Sequence, residues 1–338
     1  MKIVVLLSLL FSGPMLAFDW QVQALPGKPS LRGSAVKDGV LWATGTNNSV
    51  FVSDNQGKTW RNASVTDSVV TDFRDIQVFD NKTAIVMGVG SGEQSRLLLT
   101  LDRGQSWQLL HVNPDPDGFY DAIGFWDRNR GLLLGDPVDG YYVIKRTQDG
   151  GKTWQRIERE KLPPMLSKEA AFAASGNTLI VGDNGKAWFT TGGFDACVYY
   201  SSDFGQSWQR SPVPLHRLNQ TSGGYALALN HQGTPFVMGG DYKQRDGHYP
   251  HLSYLGPDGH WLVPDSTQLG LRTAMACDQQ TCITTGKLGT DISHDQGMRW
   301  KTLPVSAQTK GFYTLAQEDG LFLGAGHDGL VGVYPLPN

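Results

Sequence analysis

The feature that most constrains the fold is an octapeptide that recurs along the chain and ends in tryptophan. Good copies follow Ser/Thr-x-Asp-x-Gly-x-Ser/Thr-Trp, as in residues 147–154. A degenerate copy, Pro257-Asp-Gly-His-Trp, ends at Trp261. Near the start of the chain, only the last part of the motif is present, as Asp19-Trp20. Self-similarity at a period of about 20–50 residues is typical of solenoids and propellers. The seven tryptophans are 39 to 54 residues apart and are Trp20, Trp60, Trp107, Trp154, Trp208, Trp261 and Trp300.

Each position of the octapeptide has a physical reason. The hydroxyl and carboxylate side chains hydrogen-bond to nearby backbone groups and fix a tight turn. The glycine supplies a backbone conformation that a side chain would strain. The tryptophan then enters the next strand, and we expect it to pack between neighbouring sheets. Asn55 replaces the aspartate in one copy, and Arg299 replaces the second hydroxyl residue in another.

The segments between the tryptophans predict short strands. Each repeat has an apolar strand and then a second strand that ends in glycine, and no stretch carries a long apolar face at helical period. Seven units of four strands predict an all-β, seven-bladed β-propeller with four-stranded antiparallel blades. The last unit lacks a tryptophan, so we expect the N-terminal strand near Trp20 to pair with residues 331–333 and close the ring. Residues 18–338 then form a single propeller domain.

The N-terminus resembles an export signal. Lys2 precedes an apolar run over residues 3–11 and a small-residue exit that ends at Ala17. This pattern predicts a signal peptide, residues 1–17, and a periplasmic or secreted protein. The alternative is a buried first strand. The run is too short to span a bilayer, so no transmembrane segment is expected.

Composition and cysteine usage exclude several classes. The net charge is −3 and no basic run occurs, which argues against nucleic-acid binding. Cys277 and Cys282 flank a predicted hairpin loop, and export permits a disulfide between them, although free thiols remain the alternative. Cys197 is expected to be a buried apolar residue. We predict a monomer with no metal site, no cofactor and no catalytic residues.

Beyond the octapeptides, the chain resembles known families. The octapeptide resembles the Asp-box, or BNR repeat, of sialidases and related propellers. Segments such as Glu169-Ala-Ala-Phe-Ala-Ala-Ser and Gly239-Gly-Asp-Tyr resemble bacterial exported propellers related to the photosystem II stability/assembly factor family. That resemblance implies a binding or assembly role.

In propellers of this kind the first strand of each blade lines the central channel. The start of that strand and the loop between the second and third strands open on one face, opposite the Asp-boxes. Charged residues there must pair or bind something, because burying a lone charge is costly. We predict a ligand or protein site on this channel face, with internal salt bridges that brace the ring as the alternative. Its candidates are Arg32, Arg74, Asp75, Asp121, Glu169 and Arg272 at the starts of first strands, and Asp136, Asp139, Asp183, Asp241 and Tyr242 in second-to-third loops.

Two functions follow from these residues. The first is a non-enzymatic binding or assembly propeller outside the cytoplasm, with a protein or small-ligand partner. The second is a sialidase-like glycoside hydrolase, in which Arg32, Arg74 and Arg272 would bind a carboxylate beside Tyr242. The hydrolase requires the three guanidinium groups to converge on one pocket. No dinucleotide or haem-attachment pattern supports an oxidoreductase.

Overall fold

The described chain consists almost entirely of short strands joined by tight turns. The computed structural model describes residues 20–266, 270–304 and 311–335, so the predicted signal peptide lies outside the described residues. Single 3-10 turns interrupt the strands at Gly92–Gln94, Arg159–Lys161, Gly176–Thr178, Asp183–Gly185 and His327–Gly329. Within these described ranges, no helix is long and apolar enough to cross a bilayer.

The strands form seven antiparallel sheets, which are the predicted blades. The N-terminal strand β1 spans Gln21–Ala24. Blade 1 contains β2 (Leu31–Lys37), β3 (Val40–Gly45), β4 (Ser49–Ser53) and β5 (Arg61–Asn62). Blade 2 contains β6 (Asp72–Val78), β7 (Ala84–Val89), β8 (Arg96–Thr100) and β9 (Gln108–Val112). Blade 3 contains β10 (Tyr120–Phe125), β11 (Gly131–Val138), β12 (Tyr141–Thr147) and β13 (Gln155–Arg156).

Blades 4 and 5 share an irregular region. Before blade 4 comes β14 (Glu169–Ala170). Blade 4 contains β15 (Leu179–Val181), β16 (Ala187–Thr190), β18 (Cys197–Ser201) and β19 (Gln209–Pro212), with β17 (Gly192–Gly193) between β16 and β18. Blade 5 contains β20 (Ser222–Leu229), β21 (Pro235–Asp241), β22 (Leu252–Leu255) and β23 (Trp261–Leu262). The short strands β14 and β17 extend the blade 5 sheet to six strands.

The last two blades complete the ring. Blade 6 contains β24 (Ala274–Asp278), β25 (Thr281–Gly286), β26 (Gly289–Ser293) and β27 (Lys301–Thr302). Blade 7 contains β28 (Thr314–Glu318), β29 (Leu321–Ala325) and β30 (Leu330–Pro335), and its fourth strand is β1. In this pair Gln21 faces Val333 and Gln23 faces Val331, which confirms the predicted closure by the N-terminal strand. The first strand of blade 1 contacts the first strand of blade 7, so the seven sheets surround one channel.

One tryptophan of the repeat lies in each interface between blades. Seven apolar clusters fill the seven interfaces, and each contains one of the predicted tryptophans. Trp208 lies between blades 3 and 4 and packs on Phe189 with ring centroids 5.2 Å apart. Trp20 performs the same role between blades 6 and 7, against Phe312 at 4.9 Å. The predicted packing of these rings between sheets is confirmed.

The Asp-box turns have the expected hydrogen bonds. In blade 3 the Thr147 hydroxyl accepts the N–H of Gly151 at 2.9 Å and donates to Asp149 at 2.8 Å. The second oxygen of Asp149 accepts the Thr153 hydroxyl at 2.6 Å. These hydrogen bonds, with that from Thr153 largest, lower the pKa of Asp149 to about 2. The turn therefore keeps an ionised carboxylate at its centre.

The two cysteines of the blade 6 hairpin are bonded to each other. Cys277 and Cys282 face each other across β24 and β25 and form a disulfide, which is one of the two alternatives that the sequence left open. Cys197 is buried and free, as predicted.

We expect Trp154→Ala to lower the free energy of unfolding by about 3–5 kcal/mol, because it removes an aromatic ring from the interface between blades 2 and 3. Trp154 packs on Phe125 there, and its indole N–H donates to the Gly151 carbonyl at 2.9 Å. Chemical denaturation measures the change, with Leu109→Ala as a control because Leu109 is 54% exposed on an outer strand. Equal stabilities of the two variants would contradict the packing role.

Candidate functional site

Four blades carry an extra residue at the same place, where the first strand begins at the channel face. The pairing register of these strands skips Arg32, Arg74, Asp121 and Tyr225, one in each of blades 1, 2, 3 and 5. A β-bulge of this kind leaves one residue unpaired and re-aims its side chain. The sheet can thus present a polar group at the channel mouth without disturbing its apolar alternation. Three of the four bulged residues were predicted as site residues.

A segment that precedes blade 4 closes the channel mouth. We call residues 172–178 the channel plug. Its 3-10 turn contacts the first strands of blades 2, 3 and 5. The ring of Phe172 stacks on Tyr225 with centroids 4.5 Å apart. Gly176 lies against Asp75, and a methyl group at Gly176 would overlap the Asp75 carboxylate.

Arg32 and Arg74 hold the channel plug through its carbonyl groups. Arg32 donates to the Ala174 carbonyl at 3.1 Å, and Arg74 donates to the Ala173 carbonyl. The guanidinium of Arg32 also lies 4.1 Å from the ring centroid of Tyr313, a favourable cation–π distance. These two cations therefore bind main-chain oxygen atoms, which are the groups that an extended peptide would offer.

A third arginine, Arg245, belongs to the same cluster. Burial lowers the pKa of Arg32 most, and the charges of Arg74 and Arg245 lower it further, against the opposing effect of Tyr313 and Asp72. The Arg245 side chain makes no hydrogen bond or ion pair to the described residues. Sequence analysis missed Arg245 and Tyr313. Arg245 lies in the loop that begins with the predicted Asp241 and Tyr242, so extending that loop by three residues would have found it.

Two predicted carboxylates are enclosed near the channel. Asp75 accepts the backbone N–H groups of Ile76 and Ile123, each at 2.8 Å, and burial raises its pKa to about 7. Asp121 is 1% exposed, and one of its oxygens has no partner among the described residues. Burial, and then the charge of Asp136, raise the pKa of Asp121 well above its usual range, although Arg74 opposes them. Asp121 is therefore closed to a ligand, whereas Asp75 is half-buried against the channel plug.

The loops between second and third strands place four other predicted residues on the channel face. Asp136 and Asp139 are exposed in the hairpin of blade 3, and Asp139 pairs with Arg159. Asp241 is buried and accepts the Thr221 hydroxyl at 2.7 Å. The pKa of Asp241 lies below its usual range. Burial alone would raise this pKa, but the hydrogen bonds from Thr221 and Asn219 lower it by more. Tyr242 is 41% exposed and makes an edge contact with Phe172.

Tyr242 borders an open groove beside the channel plug. This channel-face groove has a volume of about 680 Å³. Phe194 and Tyr242 supply exposed rings, and Lys168 and Lys243 supply cations. Leu218, which is 76% exposed, lies on the loop that leads to Gln220 in the groove wall. The groove thus combines apolar surface with positive charge.

Arg272 is not at the channel, which corrects its predicted place. Its backbone N–H donates to the carbonyl of Gly239 in blade 5, just as Leu31 donates to Gly326 of blade 7. Arg272 therefore occupies the position of Leu31, one residue before the bulge, and its side chain lies between strands. It is 2% exposed and pairs with buried Asp291 at 2.7 Å.

One acidic prediction needs correction. Asp183 lies between β15 and β16, on the same side as the Asp-boxes, where Phe204 of an Asp-box donates to the Gly185 carbonyl. Residues 179–181 form the first strand β15 of blade 4, so Asp183 follows a first strand and not a second one. Glu169 lies in β14, which pairs with β17 at the channel-face end of the same blade, and it lines the channel-face groove. Glu169 is buried there and accepts the hydroxyls of Thr191 and Tyr199.

The site contains no obvious metal centre. In the part of the chain that the structure describes, no three His, Cys, Asp or Glu side chains are grouped to hold an ion.

Comparisons with known proteins agree with this geometry. A family model described as the BNR/Asp-box repeat matches residues 199–210, the turn of blade 4. The chain folds as a seven-bladed β-propeller, and its blade 4 carries an Asp-box repeat. Among solved structures, YCF48 bound to a D1 peptide has a TM-score of 0.69 and 17% identity, over 95% of this chain and 99% of that one. The predicted likeness to photosystem II assembly-factor propellers is confirmed at the level of the fold.

Enzymes share this fold equally well. A catalytically inactive virginiamycin B lyase from Staphylococcus aureus, solved with quinupristin, has a TM-score of 0.69 and 11% identity, over 95% of this propeller and 100% of the lyase. A GH74 xyloglucanase from Xanthomonas campestris has a TM-score of 0.63 and 17% identity, over 92% of this propeller and 53% of the xyloglucanase. No curated protein sequence matches the chain. At these identities the likeness establishes the fold alone.

We expect Gly176→Ala to displace the channel plug, because a methyl group there overlaps the Asp75 carboxylate. Overpacking of this kind costs about 1–3 kcal/mol. Chemical denaturation measures the loss, and limited proteolysis near residues 172–178 reports on the displaced segment. The control is Ser202→Ala, because Ser202 is exposed on a turn. Another glycine such as Gly140 would not serve, because its positive φ makes an alanine there strained. Unchanged stability and cleavage would show that the plug does not contact Asp75.

The raised pKa of Asp75 predicts a pH-dependent stability. The native state holds this proton more tightly than the unfolded chain, in which the pKa is near 3.8. The contribution of Asp75 is therefore complete below about pH 4 and is lost as the pH rises through about 7. Denaturation of the wild type and Asp75→Asn at several pH values tests this. We expect the wild type to lose stability relative to the variant between about pH 4 and 7. If the stability of the two proteins changed in parallel with pH, the result would contradict this prediction.

Proposed function

We propose that this chain is a non-enzymatic binding propeller that acts outside the cytoplasm and holds an extended segment of a partner protein on its channel face. The observation that carries the proposal is the use of Arg32 and Arg74, which already bind the main-chain carbonyls of residues 173 and 174 at the channel mouth. A partner peptide offers the same acceptors. Arg245, without a partner among the described residues, remains available to it.

The distribution of exposed apolar side chains favours the same face. Nine large apolar residues are exposed in the described part of the chain. Five of them lie in loops on the channel face, and two of these five line the channel-face groove. Contiguous exposed apolar surface beside polar groups is typical of protein interaction sites. The five are Val70, Phe194, Leu218, Tyr242 and Leu288.

The likeness to YCF48 supports a peptide ligand, because that propeller has been solved with a D1 peptide bound. Location outside the cytoplasm is supported by the signal-like sequence of residues 1–17 and by the disulfide between Cys277 and Cys282. An assembly role follows from binding without chemistry.

The geometry argues against a sialidase-like hydrolase. That reading needs the guanidinium groups of Arg32, Arg74 and Arg272 in one pocket, but Arg272 is enclosed in an ion pair with Asp291. Asp75 is enclosed by backbone donors, and Tyr242 packs on Phe172. A sialidase needs a tyrosine nucleophile with a glutamate partner and an aspartate acid/base in the same open pocket as the three arginines. We expect no glycoside hydrolysis.

Site-specific photocrosslinking in the native host tests the proposal. A photoreactive residue at Tyr242 should yield discrete crosslinked proteins in the envelope fraction, and the same residue at Lys58, on the Asp-box side, should not. We expect Arg245→Gln combined with Lys243→Gln to reduce the yield at position 242 several-fold, because it removes two exposed cations. The neutral control is Lys82→Gln, also on the Asp-box side.

Equal crosslinking yields at positions 58 and 242 would contradict the choice of face. A yield at position 242 that is unchanged by the Arg245→Gln and Lys243→Gln substitutions would also contradict it. Sequencing the mature N-terminus and fractionating the cells test the location separately. A chain that retains residues 1–17 in the cytoplasm would overturn export.

A further inference from the structure

The interface between blades 4 and 5 differs from its neighbours because blade 5 has lost its Asp-box. In five other blades the box glycine lies against the preceding blade. A Cβ atom built on Gly205 would meet Leu132 at 2.5 Å, and one on Gly297 would meet Phe236 at 2.7 Å. In blade 5 the corresponding turn is shorter. A Cβ atom built on its Gly259 would meet no atom within 4 Å.

The missing turn leaves an open groove between the two blades. This blade 4–5 groove has a volume of about 460 Å³, within the range of about 300–1,000 Å³ that is typical of ligand sites. Trp188 and Tyr200 of blade 4 form one wall, with ring centroids 5.4 Å apart, and Leu255 and Trp261 of blade 5 form the other. Gln209 and Lys186 lie at the rim.

The polar groups of the groove favour a saccharide over a peptide. Proline-rich peptides dock in aromatic-lined grooves, where an indole N–H can donate to a peptide carbonyl. Here the Trp261 N–H already donates to the Ser211 hydroxyl at 3.0 Å. The indole of Trp126 nearby donates to the Lys186 carbonyl at 2.9 Å. The rings of Tyr200 and Trp261 are half-buried and border the groove, and a flat apolar ring face suits the C–H face of a pyranose.

A second cavity continues the groove toward the Asp-box face. It has a volume of about 550 Å³ and shares Lys186, Trp188 and Gly233 with the blade 4–5 groove. Asn184 and Gln232 line this cavity and supply exposed amides. Side-chain amides both donate and accept hydrogen bonds, as the hydroxyl groups of a sugar require.

The charge at the rim indicates an acidic sugar. The Lys186 side chain is exposed and makes no hydrogen bond or ion pair to the described residues. Arg210 also borders the groove, but its guanidinium is on the opposite side of β19, where it donates to the Pro164 carbonyl at 2.5 Å. Asp183 lines only the adjoining cavity. The one ammonium group at the groove rim is thus free to pair with a carboxylate.

We propose that the blade 4–5 groove binds an acidic saccharide, with a pyranose ring against the half-buried rings of Tyr200 and Trp261 and its carboxylate paired with Lys186. This site is separate from the channel face and does not depend on the function proposed for that face.

Titration calorimetry and tryptophan fluorescence with two matched disaccharides test the proposal. Cellobiouronic acid and cellobiose differ by one carboxylate. We expect the acidic sugar to bind several-fold more tightly, and Lys186→Gln to bring its affinity to that of cellobiose. Thr234→Tyr, which fills the groove without removing a ring, should abolish binding of both. Lys82→Gln, on the rim of blade 2, should bind as the wild type does.

Each outcome decides the proposal. Absence of binding by both sugars at millimolar concentration would overturn it, as would binding that survives Thr234→Tyr in a folded variant. Equal affinities for the two sugars in the wild type would remove the acidic specificity. Tight binding of a polyproline peptide in the same groove would replace the saccharide by a peptide. Circular dichroism of each variant confirms that it is folded.

Discussion

The structure depends on apolar packing between blades, because no blade can bury both of its faces alone. Each interface is filled by one cluster that contains one tryptophan of the repeat, and Asp-box turns hold five of these rings in place. The chain ends meet in blade 7, where β1 supplies both the last strand and, through Trp20, the last ring. Closure and core formation are therefore the same event, and the ring leaves no exposed sheet edge that runs its full length.

Within this repeating frame, the departures from the repeat gather around blades 4 and 5. Blade 4 begins with a first strand of three residues, and the chain before it forms the channel plug and the added strands β14 and β17. Blade 5 lacks the Asp-box that would cover blade 4. Both proposed sites lie beside these irregularities, one on the channel face and one between the blades. A regular propeller repeats the same surface seven times, so a distinct site requires a local break in the pattern.

The blade number and the closing strand pair could be predicted because they follow from spacing and from strand pairing, whereas the spacing of the two cysteines left a disulfide and free thiols as alternatives. The positions of the site residues were harder to predict. Arg32 and Arg272 have similar sequence settings, yet a shift of one residue relative to the bulge sends one to the channel and the other into a buried pair with Asp291. Asp183 was assigned to the wrong face because residues 172–175 look like a strand in the sequence and fold as a plug. The Ala173 and Ala174 carbonyls carry no signal of their own, since main-chain acceptors have no side-chain pattern, and Arg245 was missed because the predicted loop residues ended at Tyr242.

The β-bulge explains how charge can stand at the channel mouth of a ring that is apolar between its sheets. Along a regular strand, alternate side chains point into the two neighbouring interfaces. A charged residue in either direction would be buried, as Arg272 is, and would need a partner such as Asp291. The extra residue at Arg32 and Arg74 leaves both interfaces apolar and turns each guanidinium toward the channel, where plug carbonyls satisfy it. Carbonyl groups are uncharged, so they do not cancel the positive charge of Arg32, Arg74 and Arg245, and among the described residues the carboxylate that pairs with this cluster is Asp72, 3.9 Å from Arg74. Any acidic segment that reaches the channel face therefore gains an attraction that the plug itself does not supply.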